Sequence, residues 1–318
     1  MTLPGKYRRA CCFAAAGTLL ILAAAVLRAV VSAAPAPVPT ATVPAAPVLP
    51  PYSGKRLVYP VADEPNTECG RLYATPLGYF WGKAEHGSDL EAVMREQSTG
   101  HPHEYERGTV LIGRGDVVVD SGSHLGVFTR IAVLRGASRV VAFEPQPDVV
   151  TCFRRTFAKE IASGQVTMVA KAVWEQAGTL AFDGAGLGFH AVDSQRSVST
   201  TTGRLLPVTT IDDTVEALGL ERVDFIKMDI EGAERQALRG ARRTLARWKP
   251  SLSICAYHRP DDAEAIVAVV RNARPDYHVL GAPGPAQRPP SLLLWFPRRY
   301  NSEHSEGPAV QMRHGQNH

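Results

Sequence analysis

Residues 116–145 read DVVVDSGSHLGVFTRIAVLRGASRVVAFEP, and this stretch decides the fold. Val117, Val118 and Val119 make a short apolar run that ends on an acid, Asp120. A turn follows, with Gly122 and Gly126 around Ser121, Ser123, His124 and Leu125. A helical pattern comes next, then a break at Gly136 and a second apolar strand over 140–143 that closes on Glu144. Strand, glycine turn, helix, strand and acid is the opening of a nucleotide-binding α/β unit.

Downstream, the same alternation continues, as a mostly parallel sheet requires. Val149, Phe153 and Phe157 recur at i, i+4 and i+8 and mark a helix face. Strands are expected over 166–170, 179–182 and 206–210, the last two flanking a polar insert that carries Gly184, Gly186, Gly188 and Gly203. A short helix is expected over 211–218. The apolar run 223–228 then ends on Asp229, and a helix is expected from Glu231 to about Trp248, stopped by Pro250. Further expectations are a strand over 252–256 ending at Tyr257 and His258, a helix over 261–272, and strands over 277–280 and 291–296. The final two strands are joined by a connection with no room for a helix, so they should pair antiparallel.

Upstream, 55–115 is less regular. Short strands are expected over 57–59, 72–75 and 79–81, and Ser88 with Glu91 suggests a capping box opening a helix over 89–97. This region is read as a small N-terminal cap on one face of the main sheet.

The leading segment has a different character. Lys6, Arg8 and Arg9 precede an apolar run over 10–27 that is interrupted by Arg28 and resumes to Ala34. Such a run suits a signal anchor that spans a bilayer, with the basic flank inside. The rivals are a cleaved signal peptide ending near Ser32–Ala34 and an organellar transit peptide. Residues 35–51, PAPVPTATVPAAPVLPP, favour an extended polyproline spacer. The expected organisation is therefore an anchor over 1–34, a stalk over 35–54, a cap over 55–115, the main α/β domain over 116–300, and a polar tail over 301–318. That is the layout of a single-pass type II membrane protein, with a secreted or organellar product of signal cleavage as the alternative.

The 318 residues carry 35 basic and 31 acidic side chains, a net charge of +4, and no basic stripe interleaved with aromatics. Nucleic acid is not an expected partner. The five cysteines contain no CxxC pair, and their spacing suggests neither a zinc site nor a disulfide framework. Cys152 and Cys255 read as small buried hydrophobes, while Cys11 and Cys12 flank the apolar leader.

The cofactor follows from a departure. A dinucleotide loop wants GxGxxG, whose middle glycine admits a pyrophosphate. Here His124 fills that place and Asp120 begins the motif, which suits a cationic ligand better than a phosphorylated one. A nicotinamide dehydrogenase is disfavoured on the same ground. Glu144 is placed to accept hydrogen bonds from ribose hydroxyls.

Together VVVDSGSHLGVFT, VVAFEPQP, DFIKMDIEGAE and the histidine after the next strand resemble the FkbM family of methyltransferases over roughly 75–296. Ser123-His124 stands where that family usually has Ala-Asn. The resemblance implies a Rossmann-like class I methyltransferase fold, with a seven-stranded, mostly parallel sheet and one antiparallel strand. It also implies S-adenosylmethionine held by Asp120, Gly122, Ser123, His124, Gly126 and Glu144, and an acceptor such as a sugar hydroxyl of a glycan or a small metabolite.

Such a hydroxyl is weakly acidic, so a base or a metal must assist. Asp229, Glu231, Glu234 and His258 are the candidate catalytic residues, because they lie at the carboxyl end of the later strands. Asp229 and His258 are also the candidate ligands of a divalent metal. Glu231 and Glu234 have a second explanation, since acids are favoured in a first helical turn. Transfer to nitrogen or carboxylate, and a non-catalytic membrane-tethered binding module, remain open alternatives, as does the oligomeric state.

Overall fold

The computed structural model describes residues 49–51, 54–65, 67–184, 186–192, 203–280 and 291–295. The expected anchor, most of the stalk, the tail, Cys11 and Cys12 lie outside them. No helix among the described residues is long and apolar enough to cross a membrane.

The chain begins with a three-stranded antiparallel meander, β1 (Tyr59–Asp63), β2 (Arg71–Thr75) and β3 (Gly78–Gly82). Helix α1 follows (His86–Glu96), and then β4 (Val117–Ser121), α2 (Val127–Leu134) and β5 (Arg139–Phe143). Next come α3 (Pro147–Thr156), α4 (Ala158–Ala162), β6 (Val166–Val169), β7 (Ala172–Val173), β8 (Gly178–Asp183), β9 (His190–Ala191) and β10 (Arg204–Thr209). The last part holds α5 (Ile211–Ala217), β11 (Phe225–Met228), α6 (Glu234–Arg239), α7 (Arg242–Trp248), β12 (Ser251–Cys255), α8 (Asp262–Ala273), β13 (His278–Leu280) and β14 (Ser291–Trp295).

The main sheet has seven strands in the order β13-β14-β12-β11-β4-β5-β6. β14 alone runs against its neighbours β12 and β13, while β12, β11, β4, β5 and β6 pair in parallel. The expected antiparallel pairing of the last two strands is present. β4, β11 and β12 are buried along their whole length, as strands covered on both faces must be. That explains their largely apolar sequences. The sheet reverses its winding between β4 and β11, which opens a crevice at the carboxyl ends of the two.

One buried cluster lies on each face of this sheet. On the first, Tyr73 and Phe80 of the meander and Leu90 and Met94 of α1 share a core with Val118, Val140 and Ala142. On the second, Val119 and Val141 pack with Leu238, Leu245 and Ile266 of the later helices. A smaller four-stranded sheet, β7-β10-β8-β9, has a core of its own around Phe182, Ala191, Leu206 and Val208.

Three expectations need correction. Cys69 and Cys152 form a disulfide across 83 residues, so Cys152 is not a free buried hydrophobe; Cys255 alone is free and buried among the described cysteines. The pairing depends on β1–β3 packing against α3, a tertiary contact that spacing does not encode. The helix expected from Glu231 to Trp248 is two helices, broken at Gly240, where a Cβ would lie 2.2 Å from the Trp174 carbonyl oxygen. Helix α1 starts at His86 without a side-chain cap, and Glu91 instead accepts the backbone N–H groups of Leu57 and Val58. The acid read as a cap joins the cap region to its own helix.

Candidate active site

The turn after β4 is shaped by two close approaches. Gly122 has φ +77°, and a Cβ there would sit 1.9 Å from the Asp229 carbonyl oxygen at the end of β11. Gly126 has φ +92°, and its Cβ would meet the Phe157 ring at 2.3 Å. Only glycine combines a left-handed backbone with no side chain, so both positions are forced. The N–H groups of Gly122 and Ser123 donate to the Phe143 carbonyl at 3.1 and 2.9 Å, which docks the turn on the end of β5.

His124 sits at the tip of that turn with φ +47°, and Glu231 has φ +57°. A positive φ is uncommon outside glycine and concentrates where the surrounding structure has a use for the strain. Both residues face the same cavity.

Glu144 ends β5 and is buried. Its Oε2 accepts the His124 N–H at 3.0 Å and its Oε1 accepts the Gln146 N–H at 2.9 Å. Each carboxylate oxygen keeps a second acceptor site, so a pair of ribose hydroxyls still fits. Burial raises the Glu144 pKa to about 7, although the two backbone N–H groups pull it down. His124 is pushed the other way, to about 3, by burial and then by the nearby His86 and Lys227, so the ring is neutral.

Asp120 holds a different place from the expected one. It is fully buried, accepts the Thr129 hydroxyl at 2.7 Å, and lies 3.3 Å from Lys227 Nζ. It does not line the cavity. Lys227 does, donating to the Gly122 carbonyl at 2.7 Å and lying 5.2 Å from the centre of the Tyr105 ring. Burial would lower the Lys227 pKa, but Asp120 and Asp229 hold it above its ordinary value. The acid of the motif therefore acts on the cavity through this lysine.

Beyond the carboxyl ends of β11 and β12 is a second group of polar side chains. Asp229 Oδ2 accepts the Tyr105 hydroxyl at 2.7 Å, while Oδ1 is buried and has no hydrogen-bond partner. His258 Nε2 lies 3.6 Å from both Asp229 Oδ1 and Glu231 Oε2, and Nδ1 lies 3.0 Å from Glu234 Oε1. Glu234 is fully buried, and its Oε1 also accepts the Ile230 N–H at 3.0 Å. Burial would lower the His258 pKa, yet Glu231, Glu234 and Asp229 raise it to about 10. Asp229 and Glu231 line the cavity; Glu234 and His258 stand behind them.

The cavity encloses about 910 Å³ of space between protein atoms, a figure that includes solvent at its open mouth. Gly122, Ser123, His124 and Glu144 line it together with Lys227, Asp229 and Glu231. Phe182, Leu187, Phe189 and Ala191 of the small sheet add an apolar wall. Of the ten residues expected at the site, Gly122, Ser123, His124, Glu144, Asp229 and Glu231 meet in this space. Gly126 shapes the turn from behind.

Tyr105, Lys227 and Glu96 were not assigned from the sequence. Lys227 had a signal, a lone cation in an apolar strand. Tyr105 and Glu96 belong to the cap, where no periodicity points at the site. Glu96 has its pKa raised to about 7 by burial and then by the charge of Asp229, which places an acid of α1 in the field of the cavity.

The model of the methyltransferase FkbM domain matches residues 116–278. The chain belongs to this family. Its FkbM domain thus contains the whole turn, Glu144, and the Asp229–His258 edge. A hexuronic acid methyltransferase, AglP of Haloferax volcanii, is 28% identical over 130 residues, covering 41% of this chain and 52% of that protein. The chain thus spans about half the length of this curated relative. A methyltransferase FkbM from Methylobacillus flagellatus superposes with a TM-score of 0.44 at 24% identity, over 68% of this chain and 56% of that one. A Streptococcus mutans protein solved in complex with SAH gives 0.35 at 13% identity, over 58% and 89%. The chain carries an FkbM methyltransferase domain on a mostly parallel, seven-stranded α/β sheet.

Proposed function

We propose that this methyltransferase uses S-adenosylmethionine to methylate a hydroxyl oxygen of a sugar, on a glycan or a small metabolite. The observation that carries the reading is a cavity lined by both the Gly122–Glu144 cradle and the Asp229–Glu231 pair. The donor set fits the cofactor. Glu144 has acceptor sites left for ribose hydroxyls, Ser123 Oγ is buried without a partner, and both line the cavity beside Gly122.

When bound, S-adenosylmethionine supplies an electrophilic methyl group on a sulfonium, so no side chain needs to act as nucleophile. The chain has to orient the acceptor and draw off its proton. Tyr105 holds one oxygen of Asp229 and leaves the other free to receive the acceptor hydroxyl. Glu234 and His258 fix the positions of Asp229 and Glu231 from behind and are positioning residues. Lys227 holds the turn through the Gly122 carbonyl.

Asp229 and Glu231 line the cavity and repel an anionic group placed against them, which favours a neutral hydroxyl over a carboxylate. The sugar-modifying relative supports a saccharide acceptor. We further propose that the domain works on the far side of a membrane from its basic N-terminal flank. The Cys69–Cys152 disulfide supports an oxidising compartment.

The test uses the purified full chain. Calorimetry should show S-adenosylhomocysteine binding that Glu144→Ala weakens at least tenfold, and labelled methyl groups should pass to neutral glycans in preference to uronates. Asp229→Asn should lower kcat and leave S-adenosylhomocysteine affinity intact. An unmutated chain that binds no S-adenosylhomocysteine refutes the proposal; binding without turnover on any glycan points to the non-catalytic alternative. Protease protection in intact vesicles checks the topology, and cleavage of the domain from the cytosolic side refutes it.

A further inference from the structure

Asp229, Glu231 and His258 present one ligand atom each, all within 4.8 Å of one another. The two histidine-to-carboxylate distances are 3.6 Å. Neighbouring ligands around an ion held at 2.0–2.6 Å stand roughly 3–3.6 Å apart, so these atoms match one face of a coordination shell with little movement. Asp229 Oδ1 and His258 Nε2 meet only as an ion pair at 3.6 Å: both are buried with no hydrogen-bond partner, and the His258 side chain is only 5% exposed. Buried polar atoms without partners are rare and call for an explanation.

The surroundings are those of a supported metal site. Glu234 Oε1 lies 3.0 Å from His258 Nδ1, the ring nitrogen turned away from the other two carboxylates. That contact is an ion pair outside hydrogen-bond geometry; an ion held at Nε2 would let it tighten into the carboxylate–histidine support of metal sites. Tyr105 occupies the far oxygen of Asp229 in the same manner. On this basis we propose that Asp229 Oδ1, Glu231 Oε2 and His258 Nε2 bind a divalent cation at the acceptor end of the cavity. Two carboxylates and one imidazole suit Mn²⁺, with oxygen ligands preferred by hard ions and the nitrogen by first-row metals. The open side of the triad faces the cavity, where an acceptor oxygen completes the shell. This rests on the hydroxyl-methylation reading and deepens it: the two carboxylates reach the acceptor through the ion instead of by direct hydrogen bonds.

The test is Mn²⁺ uptake by the full chain, followed by the electron paramagnetic resonance signal of the free ion, with S-adenosylhomocysteine binding measured in parallel. One Mn²⁺ per chain is expected. Asp229→Asn and His258→Gln should each weaken uptake at least tenfold, and Glu234→Gln should weaken it roughly 10- to 100-fold by releasing the far nitrogen of the His258 ring. The exposed Asp276→Asn serves as a control and should change nothing. Free Mn²⁺ throughout, with S-adenosylhomocysteine binding intact, overturns the metal site and leaves the methyltransferase reading in place. Uptake that is equal in the unmutated chain and in Asp229→Asn also overturns it. Mn²⁺ uptake without S-adenosylhomocysteine binding supports the site and counts against the cofactor reading.

Discussion

Glu144 ties cofactor binding to pH. Its carboxyl is buried beneath the His124 turn, and burial moves its pKa from 4.5 to about 7. At about 1.4 kcal/mol per pH unit the displacement corresponds to roughly 3 kcal/mol. Because the folded pKa lies above the unfolded one, the folded chain retains a proton that the unfolded chain has already lost. That contribution to stability is complete below pH 4.5 and disappears as the pH rises through 7. Ribose hydroxyls need the opposite state, an ionised Glu144 that accepts from both. Cofactor affinity should therefore fall by roughly tenfold for each pH unit below 7 and level off above it. Urea unfolding and S-adenosylhomocysteine calorimetry, run between about pH 5 and 8.5 on the unmutated chain and on Glu144→Gln, would reveal these opposed trends. The variant should lose the affinity slope and the Glu144 share of the stability slope, that of Glu96 remaining, even though its amide confronts one backbone N–H with a donor. Parallel pH profiles for the two proteins, or an unmutated affinity that is flat across the range, would refute the linkage.

Three further outcomes are expected. Lys227→Met leaves the buried Asp120 without its counter-charge and should cost about 3–5 kcal/mol in denaturant unfolding; Asp120→Asn added to it should restore most of that, and a single variant as stable as the parent contradicts the pairing. Gly122→Ala forces a Cβ against the Asp229 carbonyl oxygen and adds about 1–2 kcal/mol of left-handed strain. It should reduce S-adenosylhomocysteine affinity more than tenfold, and unchanged affinity would show that the turn does not touch the ligand. Cys69→Ser with Cys152→Ser opens a loop of 83 residues and should cost about 4 kcal/mol on the loop-entropy scale, read as a lower urea midpoint that reductant no longer shifts.

What could be read in advance follows physical range. The strand–turn–strand of 116–145 is legible because its apolar runs are buried on both faces and its glycines obey purely local steric demands. The acids at strand ends are legible for the same reason, since strand direction places them on one edge. Asp120 shows where this fails: its neighbour across the sheet, Lys227, lies 107 positions along the chain, and only that pairing turns it away from the cavity. Cys69–Cys152, Tyr105 with Asp229, and Glu91 with the backbone at 57–58 are likewise contacts between segments whose spacing carries no period. Glu231 and Gly240 look helical by composition, yet a positive φ at one and a crowding carbonyl at the other break the helix.

The apolar wall of the cavity comes from β8, β9 and the turn between them, which belong to the small sheet with its separate core. No strand of the seven-stranded sheet depends on Phe182, Leu187 or Phe189 for its packing. That insert can therefore drift or be exchanged while Gly122 and Glu144 stay as they are, so acceptor preference and cofactor chemistry are free to diversify at different rates. Grafting the insert of one family member onto another is, on these grounds, the economical route to redirecting the reaction.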